Sequence, residues 1–183
     1  MKITIITSSP NKDGLTAACG KHAKDGAILS GAEVSLISLN DLNIPSCNAC
    51  DNGWGTCISD HICQVKDDFQ EVHASLKDSD GLIIISPVYW GDLSESAKNF
   101  LDRLRRCEAF SGDTNILAGK PIISVAAAGG TGNGTVSCLD TMNKFVTHLR
   151  AIKHDFISIT QKTRDYKLNT IKEAASSLCT SLK

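Results

Sequence analysis

Four cysteines fall within seventeen residues, as Cys47-x2-Cys50-x6-Cys57-x5-Cys63. Thiolates are soft ligands, and four of them at this density suit an iron–sulfur cluster or a structural zinc ion. The alternative is a set of free or redox-active thiols. His61 lies in the same stretch, either as a substitute ligand or as a solvated loop histidine. Cys19, Cys107, Cys138 and Cys179 each stand alone within helical patterns and read as small buried hydrophobes.

Three other segments carry a different chemistry, and each follows a short apolar run. In Ser8-Ser9-Pro10-Asn11-Lys12-Asp13-Gly14-Leu15-Thr16, the side chains of Ser9, Asn11 and Thr16 are short donors and Gly14 permits tight backbone. Lys12 adds a point charge, and a helix opening at Leu15 presents free N–H groups with a positive dipole end, so the natural occupant is a phosphate monoester. In the second segment, Pro87 stops the strand, and Val88, Tyr89 and Trp90 can edge or stack a flat ring. The third, with Ala128, Gly129, Gly130, Thr131 and Gly132, leaves backbone able to lie against a planar ligand. Its N–H groups can donate to the edge of a ring where negative charge gathers on reduction. In an open α/β sheet, ligands bind beyond the carboxyl ends of the strands, so the three loops suggest one site, suited to flavin mononucleotide (FMN). The rival nucleotide signatures are missing: no G-x-x-x-x-G-K-[ST] occurs, and no G-x-G-x-x-G follows the first strand.

The elements that must hold these loops alternate. Strands are predicted at Lys2–Thr7, Glu33–Leu39, Gly81–Ser86, Pro121–Ala127 and Asp155–Ile159. The second alternates apolar and polar residues, as an outer strand does, whereas the third is a continuous apolar run and the fourth largely apolar, as strands buried on both faces are. Helical stripes follow: Leu15, Ala18, Cys19 and His22; Phe69, Val72 and Leu76; Ala97, Phe100, Leu101 and Leu104; Val136, Leu139, Met142, Val146 and Leu149; Leu168, Ile171, Ala175, Leu178 and Leu182. Asp67-x-x-Gln70 and Asp92-x-x-Glu95 read as capping boxes. His73 reads as a packed histidine, and Arg103, Arg105 and Arg106 as a solvated helix face beside Asp102 and Glu108. The expectation is an α/β protein of one domain over 1–183, with a cysteine-rich insertion at about 40–66 and helices on both faces of the sheet. A doubly wound, five-stranded parallel sheet of flavodoxin-like order 2-1-3-4-5 fits the count.

Composition excludes several classes of function. Hydrophobic residues make up 42% and charged residues 21%, close to an ordinary globular chain. A formal net charge of −1 gives no electrostatic reason to expect a nucleic acid or an anionic membrane as partner. The most hydrophobic run, Leu82–Ile85, is far short of a membrane span. The chain enters a strand at Lys2 without a leader, so a cytoplasmic location with reduced thiols is expected. A response regulator is disfavoured because Ser86 stands where a phospho-accepting aspartate would be, and the Cys-x5-Arg loop of small phosphatases is absent.

The residues together resemble the NAD(P)H-dependent FMN reductases of flavodoxin-like fold, including the iron–sulfur flavoproteins. Matching positions are Ser9-Pro10 with Lys12, Gly14 and Thr16, then Ser86 through Trp90, and Lys98 through Asp102-Arg103. Leu117 through Pro121, Gly129-Gly130, Gly132-Asn133-Gly134, Cys50 and Asp67-Asp68 also match. The chain departs from the family's usual phosphate loop at Ser8, Asn11 and Leu15, and from the compact iron–sulfur motif at Gly53, where Cys57 would substitute from a longer loop. The resemblance implies bound FMN, NAD(P)H as hydride donor, and a small-molecule acceptor such as a quinone, flavin or nitroaromatic. It also implies a candidate [4Fe-4S] cluster on Cys47, Cys50, Cys57 and Cys63, and a homodimer or homotetramer. The alternative is an electron carrier without a small-molecule substrate, working with a ferredoxin-like redox partner.

Overall fold

Five parallel strands run side by side in the order β2-β1-β3-β4-β5: β1 is Lys2–Thr7, β2 Glu33–Ser38, β3 Gly81–Pro87, β4 Pro121–Ala128 and β5 Ile152–Thr160. The computed structural model describes residues 1–183, except the side chain of Asp113. The predicted order holds, with β2 and β5 at the edges. Strands β3 and β4 are buried at every position, as their largely apolar sequences require, with Ser86 and Ser124 buried among the apolar residues.

Helices α1 (Leu15–Leu29) and α6 (Arg164–Ser181) cover one face, over Ile3, Ile5, Ile83, Ile85, Val125 and Ile157. On the other face lie the short α2 (Thr56–Ser59) with α3 (Phe69–Ser75), α4 (Glu95–Glu108) and α5 (Thr135–His148), over Ile6, Leu82, Ile84, Ile122 and Ala126. Alternate residues of one strand therefore feed two cores, and each fully buried Ile or Leu contributes roughly 1.5–3 kcal/mol. Close approach of α1 to α6 depends on Gly26, where a Cβ would lie 2.0 Å from the Lys172 carbonyl oxygen. None of the described helices is long and apolar enough to cross a membrane.

The structure departs from the sequence pattern in four places. The Asp67-x-x-Gln70 box does not form: Asp67 accepts from Phe69 N at 3.0 Å but is mainly engaged by Arg103, and Gln70 Oε1 accepts from Cys63 N at 3.0 Å. Ser94, not Asp92, caps α4, its Oγ accepting from Ala97 N, because Asp92 closes a hairpin with Tyr89 and its carboxylate takes the Leu93 N–H at 2.8 Å. Val136 is 79% exposed, since α5 turns Cys138, Met142, Phe145 and Val146 inward. Arg103 and Glu108 are buried rather than solvated. His73 is packed as expected, with Nε2 2.7 Å from Glu108 Oε1 and its ring stacked on Phe69.

Candidate functional site

The three loops meet at the carboxyl ends of β1, β3 and β4. Loop one (Ser8–Gly14) is held by its first residue: the Ser8 carbonyl accepts from Ser94 Oγ at 2.8 Å and Ser96 Oγ at 3.3 Å, while Ser8 Oγ donates to the Ile85 carbonyl. Ser86 Oγ accepts from Ser94 N at 3.1 Å, so one helix start ties β1 to β3. Within the loop, Ser9 Oγ accepts from Asn11 N and Asn11 Oδ1 from Asp13 N. Those bonds leave the Ser9 hydroxyl hydrogen and the Asn11 amide N–H groups as donors, and the Asn11 amide nitrogen lies over Gly14, 2.9 Å from where a Cβ would stand. Gly14 begins α1 with no side-chain cap, leaving the amides of Leu15, Thr16 and Ala17 without intrahelical acceptors. This is the arrangement that binds a terminal phosphate.

A cavity of about 420 Å³ opens beside this loop, walled by Ser9, Asn11, Gly14 and Thr16 together with Leu36 and Asp41. Lys12 is not free there: its Nζ sits 2.9 Å from Asp41 Oδ1, and the hydrogen bond holds the Lys12 amine above its usual range and the Asp41 carboxyl below. The cavity lies against α1 and β2 and does not reach loops two and three, which border open surface instead.

Loop two is a tight hairpin. Tyr89 and Asp92 exchange both backbone hydrogen bonds, at 2.9 and 3.0 Å, and the two residues between, Trp90 (φ +52°) and Gly91 (φ +82°), both have positive φ. Trp90 thus projects from the tip, fully exposed and in a conformation that costs a bulky residue about 1–2 kcal/mol. Pro87 ends β3, and Val88 N donates to the Ala127 carbonyl at 2.9 Å. Loop three follows β4. Ala128 is its last strand residue, a Cβ on Gly129 or Gly130 would meet nothing within 4 Å, and Thr131 Oγ1 accepts from Asn133 N. Gly132 (φ +87°) passes Thr160 closely, and Gly134 (φ +84°) abuts Gly91, where a Cβ would come 2.6 Å from the Gly91 Cα. Loops two and three therefore touch through two glycines. Donors around an uncapped helix end, with bare backbone at Gly129-Gly130, fit the phosphate and the flat ring of FMN.

The four clustered cysteines line one small pocket with Arg103, Arg106 and Cys107. Among the described residues they do not form a group able to grip a single metal ion. Four cysteine thiols beside two guanidinium groups have the donor chemistry that an anionic iron–sulfur cluster takes. Cys47 is exposed; Cys50, Cys57 and Cys63 are half-buried. Four of the seven non-glycine residues with positive φ, namely Ala49, Asp51, Asn52 and His61, lie in this stretch, and such strain concentrates at functional segments. His61 Nδ1 is 2.9 Å from the Cys107 carbonyl, which fastens the segment to α4 rather than offering a ligand. Cys107 is a fifth thiol at the pocket, but burial, reinforced by Cys63 and Cys57, pushes it up to about 12.

Arg103 is the anchor of this region. Its guanidinium makes a two-pronged pair with Asp67 at 2.7 and 2.9 Å, and also reaches the Pro45 carbonyl and Cys63 Sγ, at 3.1 and 3.2 Å. Burial works against the Asp67 charge, yet the Arg103 bonds and the Phe69 N–H outweigh it and hold the carboxyl below its usual range. Periodicity could have found Arg103, because it falls between Phe100 and Cys107 on the apolar stripe of α4. Ser94 and Ser96 were legible only as a serine pair ahead of a helix.

A parallel sheet of this order, covered by helices on both faces, defines a flavodoxin-like protein. The chain belongs to the NADPH-dependent FMN reductase family, which it matches over residues 1–162. Similar proteins include two iron–sulfur flavoproteins of Methanocaldococcus jannaschii. One is 33% identical over 105 residues, 57% of this chain and 52% of the relative. The other is 32% identical over 146 residues, 79% and 70% of the two chains. The matched stretch thus spans about half the length of the first. An NAD(P)H:quinone oxidoreductase from Methanothermobacter marburgensis shares the fold, with a TM-score of 0.75 at 19% identity over 97% of this chain and 96% of that one.

Proposed function

We propose that the chain is an FMN-dependent oxidoreductase that takes hydride from NAD(P)H and reduces a small acceptor such as a quinone, flavin or nitroaromatic. The observation that carries this reading is the uncapped start of α1 with side-chain donors from Ser9 and Asn11 after β1, on the same carboxyl edge of the sheet as the bare backbone at Gly129-Gly130 after β4. When bound, FMN supplies the hydride and electron chemistry. The amides of Leu15 and Thr16 with the Ser9 and Asn11 side chains hold its phosphate. Backbone N–H groups of Ala128 through Gly132 would serve the ring edge, and Pro87, Val88 and Tyr89 would border it from loop two. Trp90 and Tyr89, with the exposed Val136, form an apolar rim suited to a second copy of the chain, in a homodimer or homotetramer.

The thiol pocket favours a second reading, in which Cys47, Cys50, Cys57 and Cys63 hold an iron–sulfur cluster and the protein carries electrons to or from a ferredoxin-like partner. One experiment separates the two. Protein purified without oxygen is assayed for FMN, iron and sulfide, then mixed anaerobically with NADPH or NADH. Rapid bleaching near 450 nm, about the usual flavin band, supports the reductase. Bleaching only by a reduced ferredoxin supports the carrier. Failure to take up added FMN refutes both.

A further inference from the structure

Two guanidinium groups wall the cysteine pocket from α4, and the flavin crevice uses neither. Arg103 is charge-matched by Asp67, in a pair whose side chains are 1% and 2% exposed. Its Nη2 donates to Cys63 Sγ at 3.2 Å, and its Nε–H is buried with no protein acceptor among the described residues. Arg106 lies 4.0 Å over the Trp54 ring and pairs with no carboxylate among the described residues. Its Nε–H is likewise buried without an acceptor among the described residues. Buried donors without acceptors are costly, and native proteins carry few of them. Two beside the same thiols suit an anionic, sulfur-rich acceptor.

We propose that Arg103 and Arg106 set the reduction potential of an iron–sulfur cluster held by Cys47, Cys50, Cys57 and Cys63, through hydrogen bonds to its sulfurs and opposition to its negative charge. The proposal rests on the cluster reading given above. Uptake of one electron makes the ligated cluster one unit more negative and breaks no bond. N–H donors and a nearby cation stabilise that form more than the oxidised one, so they raise the potential. The two arginines contribute differently. With its charge balanced by Asp67, Arg103 is a positioning residue that directs N–H groups at sulfur. Arg106 supplies a charge that no carboxylate among the described residues balances.

The test is an anaerobic dithionite titration of the purified holoprotein, followed by electron paramagnetic resonance, with iron and acid-labile sulfide counted in each sample. Arg106→Met should keep the wild-type iron content but bind the electron at least tenfold more weakly, a midpoint about 59 mV more negative. Arg103→Lys keeps the charge but loses the fork and the Nε–H, and should shift the midpoint in the same direction by less. Arg105→Met, on the same helix but outside the pocket, should leave it in place. Equal midpoints in wild type and Arg106→Met, with iron fully retained, overturn the proposal and leave the cluster standing. A wild-type protein without iron after anaerobic reconstitution overturns the cluster, and the proposal with it. If Arg103→Lys does not fold, the Arg106→Met comparison decides alone.

Discussion

A methyl group added at Gly129 and one added at Gly134, five residues apart in loop three, should have opposite effects. At Gly134 the backbone has φ +84°, and the new Cβ would come 2.6 Å from the Gly91 Cα and 3.1 Å from the Gly91 nitrogen. Both obstacles are backbone and cannot rotate away. Left-handed strain of about 1–2 kcal/mol and overpacking of about 1–3 kcal/mol together put Gly134→Ala about 2–5 kcal/mol below wild type. That is a large fraction of the 5–15 kcal/mol, roughly, that holds an ordinary domain together. At Gly129 the Cβ would meet nothing within 4 Å. Gly129→Ala should therefore leave the apoprotein as stable as wild type, or more stable by about 0.4–1 kcal/mol through the unfolded chain. If the isoalloxazine lies on that backbone, the same methyl group intrudes on the ring, and FMN affinity should fall at least about tenfold, or about 1.4 kcal/mol. Urea unfolding of the apoproteins gives the first quantity, and quenching of FMN fluorescence on binding gives the second. Wild-type FMN affinity in Gly129→Ala would refute loop three as the floor of the site. Wild-type stability in Gly134→Ala would refute the close approach of loops two and three.

Asp67→Asn should cost about 3–5 kcal/mol near neutral pH, since it leaves the Arg103 charge buried and unmatched. The folded Asp67 carboxyl titrates below its ordinary value of 3.8, so the pair's contribution is complete above that value and is lost as pH falls through the lower folded one. Acid unfolding of wild type followed by circular dichroism should therefore show a loss below about pH 4 that Asp67→Asn lacks, and parallel curves would contradict this. In metal-free protein, iodoacetamide should label Cys47 first, then Cys50, Cys57 and Cys63. Cys19 and Cys107, pushed up by burial to about 12, and Cys138, to about 11, should stay unlabelled until the chain unfolds. Peptide mass spectrometry over a time course checks the order. Trp90→Gly should raise apoprotein stability by about 1 kcal/mol by relieving its positive φ, and should weaken self-association measured by sedimentation; lower stability would show that Trp90 packs rather than projects.

The fold was legible because the sequence states it twice, in alternation of period and in burial. Leu82-Ile83-Ile84-Ile85 and Ile122-Ile123 can only be strands covered on both sides, and β2, half polar, can only be an edge. The loops were legible from their glycines and serines. What escaped was long-range. A carboxylate and a guanidinium 36 residues apart in sequence, Asp67 and Arg103, carry no local sign that each exists to neutralise the other. Charge suggested solvent for Arg103, whereas its place on the apolar stripe of α4 puts it in the core. The thiol pocket escaped in the same way: four of its cysteines stood out by spacing, but its far wall belongs to α4, 40 residues further along the chain from Cys63 to Arg103.

Helix α4 joins the two halves of this chemistry. Its first turn, through Ser94 and Ser96, clasps the Ser8 carbonyl; thirteen residues after Ser94, about 20 Å along a helix of ordinary rise, Cys107 closes the thiol pocket. A rod anchored at both ends cannot melt at one without loosening the other. Heat should therefore loosen the junction at Ser8 and the thiol pocket in a single step.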